Sequence, residues 1–161
     1  KETLNNEPNI IVNLQGDMPN IDSKDITNLI NYMQKEECSI GTLASKLKSN
    51  YELKDKNIVK VCVKEKMRPG EFVQAEDFVR TNPNKLYQVY HHIGIYAFTN
   101  KALIRYVGLK RSKLELQRNL EQLRAMENNI SIHVGFVESS PLSVDTEKDL
   151  IEVKKLMEKN G

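Results

Sequence analysis

Asp17 stands where an apolar run ends. Asn9-Ile10-Ile11-Val12-Asn13-Leu14-Gln15 reads as a buried strand, and Gly16-Asp17-Met18-Pro19 closes it with a tight turn. In open α/β sheets a ligand sits outside the carboxyl ends of the strands, where Gln15 and Asp17 fall. A carboxylate there can hold Mg²⁺ against phosphate oxygens, since that ion is usually bound by one or two carboxylates plus substrate phosphates. Taken alone, Gly-Asp after a strand is also ordinary turn chemistry, and Asp17 can simply cap the next helix. A second acid, Asp145 in Ser143-Val144-Asp145-Thr146, either approaches the same cation or serves as an acid favoured at a helix start. His92 and Tyr96, four apart on a strand, point the same way, whereas the adjacent His91 points to the opposite face. That pair can present a ring nitrogen and a hydroxyl to a polar substrate; the alternative is an ordinary half-buried strand. Glu121-Gln122 offers acceptors and donors suited to sugar hydroxyls, or only a solvated helix face.

These residues need elements to position them. A helix is expected from Asp22 or Ser23 to about Lys35, with Ile26, Leu29, Ile30 and Met33 inward. Strands follow at Ser39–Ala44 and Ile58–Val63, separated by a polar stretch at 46–56. Residues 64–88 form a long excursion containing Arg68-Pro69-Gly70 and a short piece from Phe72 to Arg80. A strand returns over His92–Phe98, and Thr99 or Asn100 caps a helix to Tyr106. Ser112-Lys113-Leu114-Glu115 fits a capping box and opens one helix to about Asn128, with Leu116, Leu120 and Leu123 buried. Ile130–Val137 alternates as a strand, and a last helix opens at Thr146 with Leu150, Val153 and Leu156 inward. The alternation predicts a single α/β domain over 1–161: a three-layer sandwich with a mixed, mostly parallel sheet and helices on both faces.

Composition narrows the partners. The 161 residues suffice for one sizeable core, and the formal net charge of +2 comes from balanced, dispersed charges. Neither a clustered basic face for nucleic acid nor an apolar run long enough to cross a bilayer is present. Cys38 and Cys62 are too few for a disulfide framework and lack metal-ligand spacing, so buried free thiols in a cytoplasmic protein are expected. Lys1–Asn6 reads as the tail of a helix that begins earlier, so an upstream portion is expected as well.

Four segments, in order, resemble the 3-deoxy-manno-octulosonate cytidylyltransferase (CMP-Kdo synthetase) family. They are Val12-Asn13-Leu14-Gln15-Gly16-Asp17-Met18-Pro19, His92-Ile93-Gly94-Ile95-Tyr96, Leu120-Glu121-Gln122-Leu123-Arg124 and Val144-Asp145-Thr146-Glu147-Lys148-Asp149-Leu150. The family patterns are V-N-x-Q-G-D-E-P, H-x-G-I-Y, L-E-Q-L-R and V-D-T-x-x-D-L. The resemblance implies a nucleotide-diphospho-sugar transferase-like fold and a nucleotidyltransferase of lipopolysaccharide biosynthesis. The anomeric hydroxyl of Kdo, an eight-carbon acid sugar, would attack the α-phosphate of CTP to give CMP-Kdo and pyrophosphate. It further implies Asp17 and Asp145 as the catalytic, Mg²⁺-holding pair. Gln15, His92, Tyr96, Glu121 and Gln122 would bind substrate, with Arg80 pairing the Kdo carboxylate as a fork. A homodimer is implied too.

Three departures stand out: Met18 replaces a Glu, Arg118 replaces a Glu three residues before the Glu-Gln pair, and the family's A-L-Y-F-S-R segment is only echoed at 75–83. The family's P-A-R-x-x-S-x-R-L-P-x-K-P phosphate loop has no counterpart in the chain, so the chain alone is expected to have little or no activity. The alternatives are a related acid-sugar nucleotidyltransferase and a non-catalytic remnant serving as a sugar-binding or dimerisation module.

Overall fold

The computed structural model describes residues 8–16, 18–36, 38–81, 83–138, 140–142, 144 and 147–160. Its centre is a single long strand, β6 (Gln88–Thr99). On one edge β6 pairs with β2 (Ile40–Ser45). On the other it is shared by two short strands, β1 (Ile10–Asn13) beside Tyr96–Thr99 and β3 (Lys60–Val63) beside Gln88–His91. The sheet is completed by β7 (Ile132–Phe136) next to β2, β4 (Phe72–Gln74) next to β7, and β5 (Asp77–Val79) next to β3. The excursion at 64–88 therefore supplies both sheet edges.

The α/β layering agrees with the sequence reading, but the sheet is less parallel than expected. Among the described pairings only β2 with β7 is parallel. A parallel neighbour needs a long crossover, usually a helix. The chain enters β6 from β5 through a loop without one, so β6 runs against β1, β2 and β3. The β1–helix–β2 unit survives as two parallel strands with β6 lying between them.

Helix α1 (Ser23–Lys35) is capped by Asp22, whose carboxylate accepts from the Lys24 N–H at 2.8 Å. It lays Leu29 and Met33 on one sheet face, against Leu43, Ile93, Ile95 and Ala97. The approach is close at Gly41, where a Cβ would stand 2.6 Å from Leu29 Cδ1 and 2.9 Å from Met33 Sδ. The short helix α2 (Asn50–Lys54) precedes β3. On the opposite face lie α3 (Asn100–Val107), capped by Thr99, and two further short helices, α4 (Lys113–Arg118) and α5 (Gln122–Glu127). The last helix is α6 (Glu147–Asn160).

The single helix expected over 112–128 is thus two. Asn119 takes a left-handed conformation (φ 54°) that Asn tolerates and most residues do not. The N–H of Leu120 then reaches back to the Glu115 carbonyl at 3.3 Å, closing the first helix. The break re-phases the stripe: Leu120 and Leu123 stay buried, but Leu116 is 57% exposed. In α6 Val153 is buried as expected, while Leu150 faces solvent; Thr146 and the Leu156 side chain lie outside the described residues.

Glu115 holds this helix pair together. Fully buried, it accepts a bidentate pair from Arg124 (2.5 and 2.8 Å), a bond from Arg111 (3.1 Å) and the Ser112 N–H of the capping box (3.0 Å). The Arg124 bonds hold its carboxyl down at about 2. A folded value below the ordinary 4.5 means that the unfolded chain takes the proton first. Its stabilisation is complete above about pH 4.5 and is lost as pH falls toward 2. Glu115→Gln should therefore lower stability at neutral pH and flatten the acid limb of a urea-denaturation profile in that window. Independently, Gly41→Ala should cost about 1–3 kcal/mol by overpacking α1 on β2, read as a lower urea midpoint.

Candidate functional site

The gap between β1 and β3 along β6 opens a cavity of about 360 Å³. β1 reaches only as far as Tyr96 and β3 only as far as His91, so neither runs beside residues 92–95. On the far edge of the same stretch the ladder shifts: Thr42 pairs with Tyr96 and Leu43 with Ile93, which leaves Gly94 and Ile95 as a two-residue bulge. Because two residues are inserted, the alternation of faces is preserved. His92, Gly94 and Tyr96 stay on the cavity face, with Ile93 and Ile95 in the core beneath α1.

Gln15, Arg80, His92, Tyr96, Glu121 and Gln122, the six expected substrate-contacting residues, all line this cavity. The Gln15 side chain lies over Gly94, its Oε1 being 3.6 Å from where a Cβ would stand. The Arg80 Nη1 donates to the carbonyls of Lys56 (3.1 Å) and Asn57 (3.2 Å), anchoring the guanidinium at one nitrogen. Behind it the Lys60 ammonium is buried and donates to the carbonyls of Arg80 (2.7 Å) and Asp55. Burial lowers the Lys60 pKa.

His92 is buried, stands edge-on to Phe78 and contacts the Tyr96 ring. Desolvation, with His91 adding to it, pushes its pKa down to about 3, so the ring is neutral at physiological pH. The Tyr96 hydroxyl is buried and has no hydrogen-bond partner among the described residues. An unpaired buried hydroxyl costs about 1–3 kcal/mol, a penalty that a ligand hydrogen bond relieves. Burial also raises the Tyr96 pKa, keeping its proton available for donation.

Glu121 and Gln122 reach the cavity because of the break at Asn119, which turns the chain between α4 and α5. The turn is pinned from α3, where the Tyr106 hydroxyl donates to the Glu121 carbonyl at 3.1 Å and the Arg124 guanidinium sits 4.9 Å over the Tyr106 ring. Arg118, a departure from the family pattern, pairs with Asp77 at 2.6 Å and donates to the Phe78 carbonyl at 3.1 Å. It ties α4 to β5. Asp17 and Asp145 lie outside the described residues. Among the described residues no group of three or more His, Cys, Asp or Glu is arranged to hold a metal ion.

Sequence reasoning missed Asn119 and Thr42. Asn119 carries a local signal, as an Asn inside an apparent helix invites a left-handed stop. Thr42, in an apolar strand, has none.

A cytidylyltransferase family model matches residues 1–132. The chain belongs to the cytidylyltransferase family. Among curated relatives, the 3-deoxy-manno-octulosonate cytidylyltransferase of Bartonella henselae is 41% identical over 150 residues, covering 92% of this chain and 61% of its own length. That of Thermodesulfovibrio yellowstonii is 38% identical over 157 residues, covering 94% and 61%. The chain thus spans about three fifths of these relatives. A solved CMP:2-keto-3-deoxy-manno-octonic acid synthetase complexed with CTP superposes with a TM-score of 0.82 at 32% identity, covering 96% of this chain and 64% of that one. A UTP-bound UGPase from Acinetobacter baumannii shares the fold (TM-score 0.64, 9% identity, covering 92% and 48%). Among the described residues no helix is long and apolar enough to cross a membrane.

The neutral His92 is open to direct measurement. Its folded pKa lies below the ordinary 6.5, so stability from this residue is full above about pH 6.5 and falls as pH drops toward 3. An NMR titration should place the His92 midpoint near 3. A midpoint at or above the ordinary value would contradict a buried neutral ring.

Proposed function

We propose that this chain forms the acid-sugar half of a CMP-Kdo synthetase, an enzyme that transfers the cytidylyl group of CTP to Kdo. The observation that carries the reading is the convergence of Gln15, Arg80, His92, Tyr96, Glu121 and Gln122 on one cavity, with a buried Tyr96 hydroxyl awaiting a partner. The cavity offers one cation and several neutral or anionic hydrogen-bonding groups, the chemistry that a polyhydroxylated carboxylic acid sugar needs. The names of the curated relatives and the CTP-bound structure support the same reading.

The Kdo carboxylate pairs with the Arg80 guanidinium, which its backbone anchor holds in one orientation. Glu121, Gln122 and Gln15 take sugar hydroxyls, and His92 and Tyr96 close the floor. Held this way, the anomeric hydroxyl faces the α-phosphate of CTP. Its oxygen forms the new P–O bond as pyrophosphate leaves, and catalysis is mostly positioning and charge neutralisation.

Asp17 and Asp145 would hold Mg²⁺, two carboxylates being the donor set that suits a hard ion placed against substrate phosphates. When bound, the ion neutralises the triphosphate and eases deprotonation of the attacking hydroxyl. The protein acts in the cytoplasm as a homodimer, supplying CMP-Kdo for lipopolysaccharide assembly.

Calorimetric titration of Kdo into the chain should give saturable binding. A Cβ at position 94 makes only ordinary contacts, at 3.6 Å or more, so Gly94→Ala should leave stability within about 0.5 kcal/mol. Its methyl should still weaken Kdo binding by filling the cavity floor. Mg²⁺-dependent pyrophosphate release from CTP and Kdo should be little or none with the chain alone, should appear on mixing with the separately expressed N-terminal segment of a relative, and should vanish from that mixture in Asp17→Ala. Kdo binding that is absent, or indifferent to Gly94→Ala, would sink the reading.

A further inference from the structure

Thr42 lies on β2, fully buried, and its side chain reaches across to the bulge of β6. Its Oγ1 is 2.7 Å from the Ile95 carbonyl oxygen, 3.2 Å from the Ile93 carbonyl oxygen and 3.0 Å from His92 Nε2. A hydroxyl has one proton to give. Two oxygens 2.7 Å apart repel unless a proton lies between them, so the Thr42 proton goes to Ile95. Towards His92, Oγ1 can then only accept. In a neutral imidazole one nitrogen carries the proton and the other is an acceptor. The bond to Thr42 requires the proton to be on Nε2, which makes Nδ1 the acceptor and the one polar atom with which the ring can meet a ligand.

We propose that Thr42 is a positioning residue for the candidate sugar site: by taking the Nε2 proton it locks His92 in a single tautomer, whose Nδ1 accepts a hydrogen bond from a ligand hydroxyl. The ligand half of this statement rests on the function proposed above; the tautomer half does not. The chemistry selects its ligand. A hydroxyl donor is welcomed at Nδ1, whereas a carboxylate or carbonyl oxygen meets a lone pair and is repelled. The acid group of the sugar is thereby directed away from His92 and towards Arg80. Tyr96, the neighbour of His92 on the same face, complements this by offering an O–H.

Long-range ¹H–¹⁵N correlation spectra of the protein labelled at histidine read the tautomer directly. The wild-type chain should show His92 with a protonated Nε2 and an unprotonated Nδ1, and a protonated Nδ1 would overturn the proposal without any variant. In Thr42→Ser, which keeps the hydroxyl, the single tautomer should persist. In Thr42→Val, nearly isosteric but without the hydroxyl, it should give way to a mixture or to the Nδ1–H form. A folded Thr42→Val with the tautomer unchanged would overturn the proposal; should that variant not fold, the wild-type spectrum still decides. Kdo titrations separate the two halves. Thr42→Ser should bind within a factor of two or so of wild type and Thr42→Val about tenfold more weakly, the worth of one hydrogen bond. Equal affinities in the two would overturn the ligand half. Failure of wild type to bind Kdo, with the Nε2–H tautomer seen, would instead sink the assigned substrate and leave the role of Thr42 standing.

Discussion

The cavity depends on one constraint: β6 has to serve strands of different phase on its two edges. Its twelve residues pair continuously with neither β1 nor β3, and on the β2 side they carry two residues too many. A two-residue bulge breaks the regular ladder hydrogen bonds, and buried carbonyls left without partners would be costly. The Thr42 hydroxyl donates to the bulge carbonyl of Ile95 at 2.7 Å and lies 3.2 Å from the carbonyl of Ile93, the residue just before the bulge. One small polar side chain in an apolar strand thus lets β6 bend around a cavity while both faces keep their packing. A one-residue bulge would have sent His92 and Tyr96 to opposite sides of the sheet.

A second buried polar group fixes the opposite wall. Glu115 is removed from water together with its charge, and such a group is tolerated only when its acceptors are filled. Arg124, Arg111 and the Ser112 N–H fill them. Arg124 also stacks on Tyr106, whose hydroxyl holds the Glu121 carbonyl. The carboxylate in the first turn of α4 is in this way linked through two side chains to the backbone that presents Glu121 and Gln122. Cavity floor and cavity wall each depend on a single buried polar residue that does not line the cavity itself.

The sequence made much of this arrangement legible, and what escaped is physically of one kind. Helix α1, its Asp22 cap, the β2, β3 and β7 strands and the Thr99 cap follow from local chemistry and periodicity, and they stand where that chemistry places them. The paired orientation of His92 and Tyr96 followed from strand alternation, and it holds because the bulge inserts an even number of residues. The helix drawn through Asn119 failed because a leucine stripe at helical spacing is blind to one left-handed residue, and so Leu116 was assigned to a core it does not enter. Strand direction failed because parallel or antiparallel pairing is decided by where connections run, which periodicity does not encode. Thr42 escaped because its role lies in contacts with residues some fifty positions away.

The parallel β2–β7 pair has a consequence for how the chain is made. β2 is buried along its whole length, and its outer edge, the one away from β6, is covered by β7, which begins only at residue 132. During synthesis the segment 40–45 leaves the ribosome long before 132–136 does, by on the order of ten seconds at ordinary translation speed. Through that interval an apolar strand waits with both edges bare until β6 emerges and with one edge bare until β7 does, the kind of edge that recruits other chains. Contacts so distant in sequence also slow closure of the sheet after release. Production of the protein is thus most exposed to aggregation before β7 emerges, and slower elongation ahead of residue 132 lengthens that exposure.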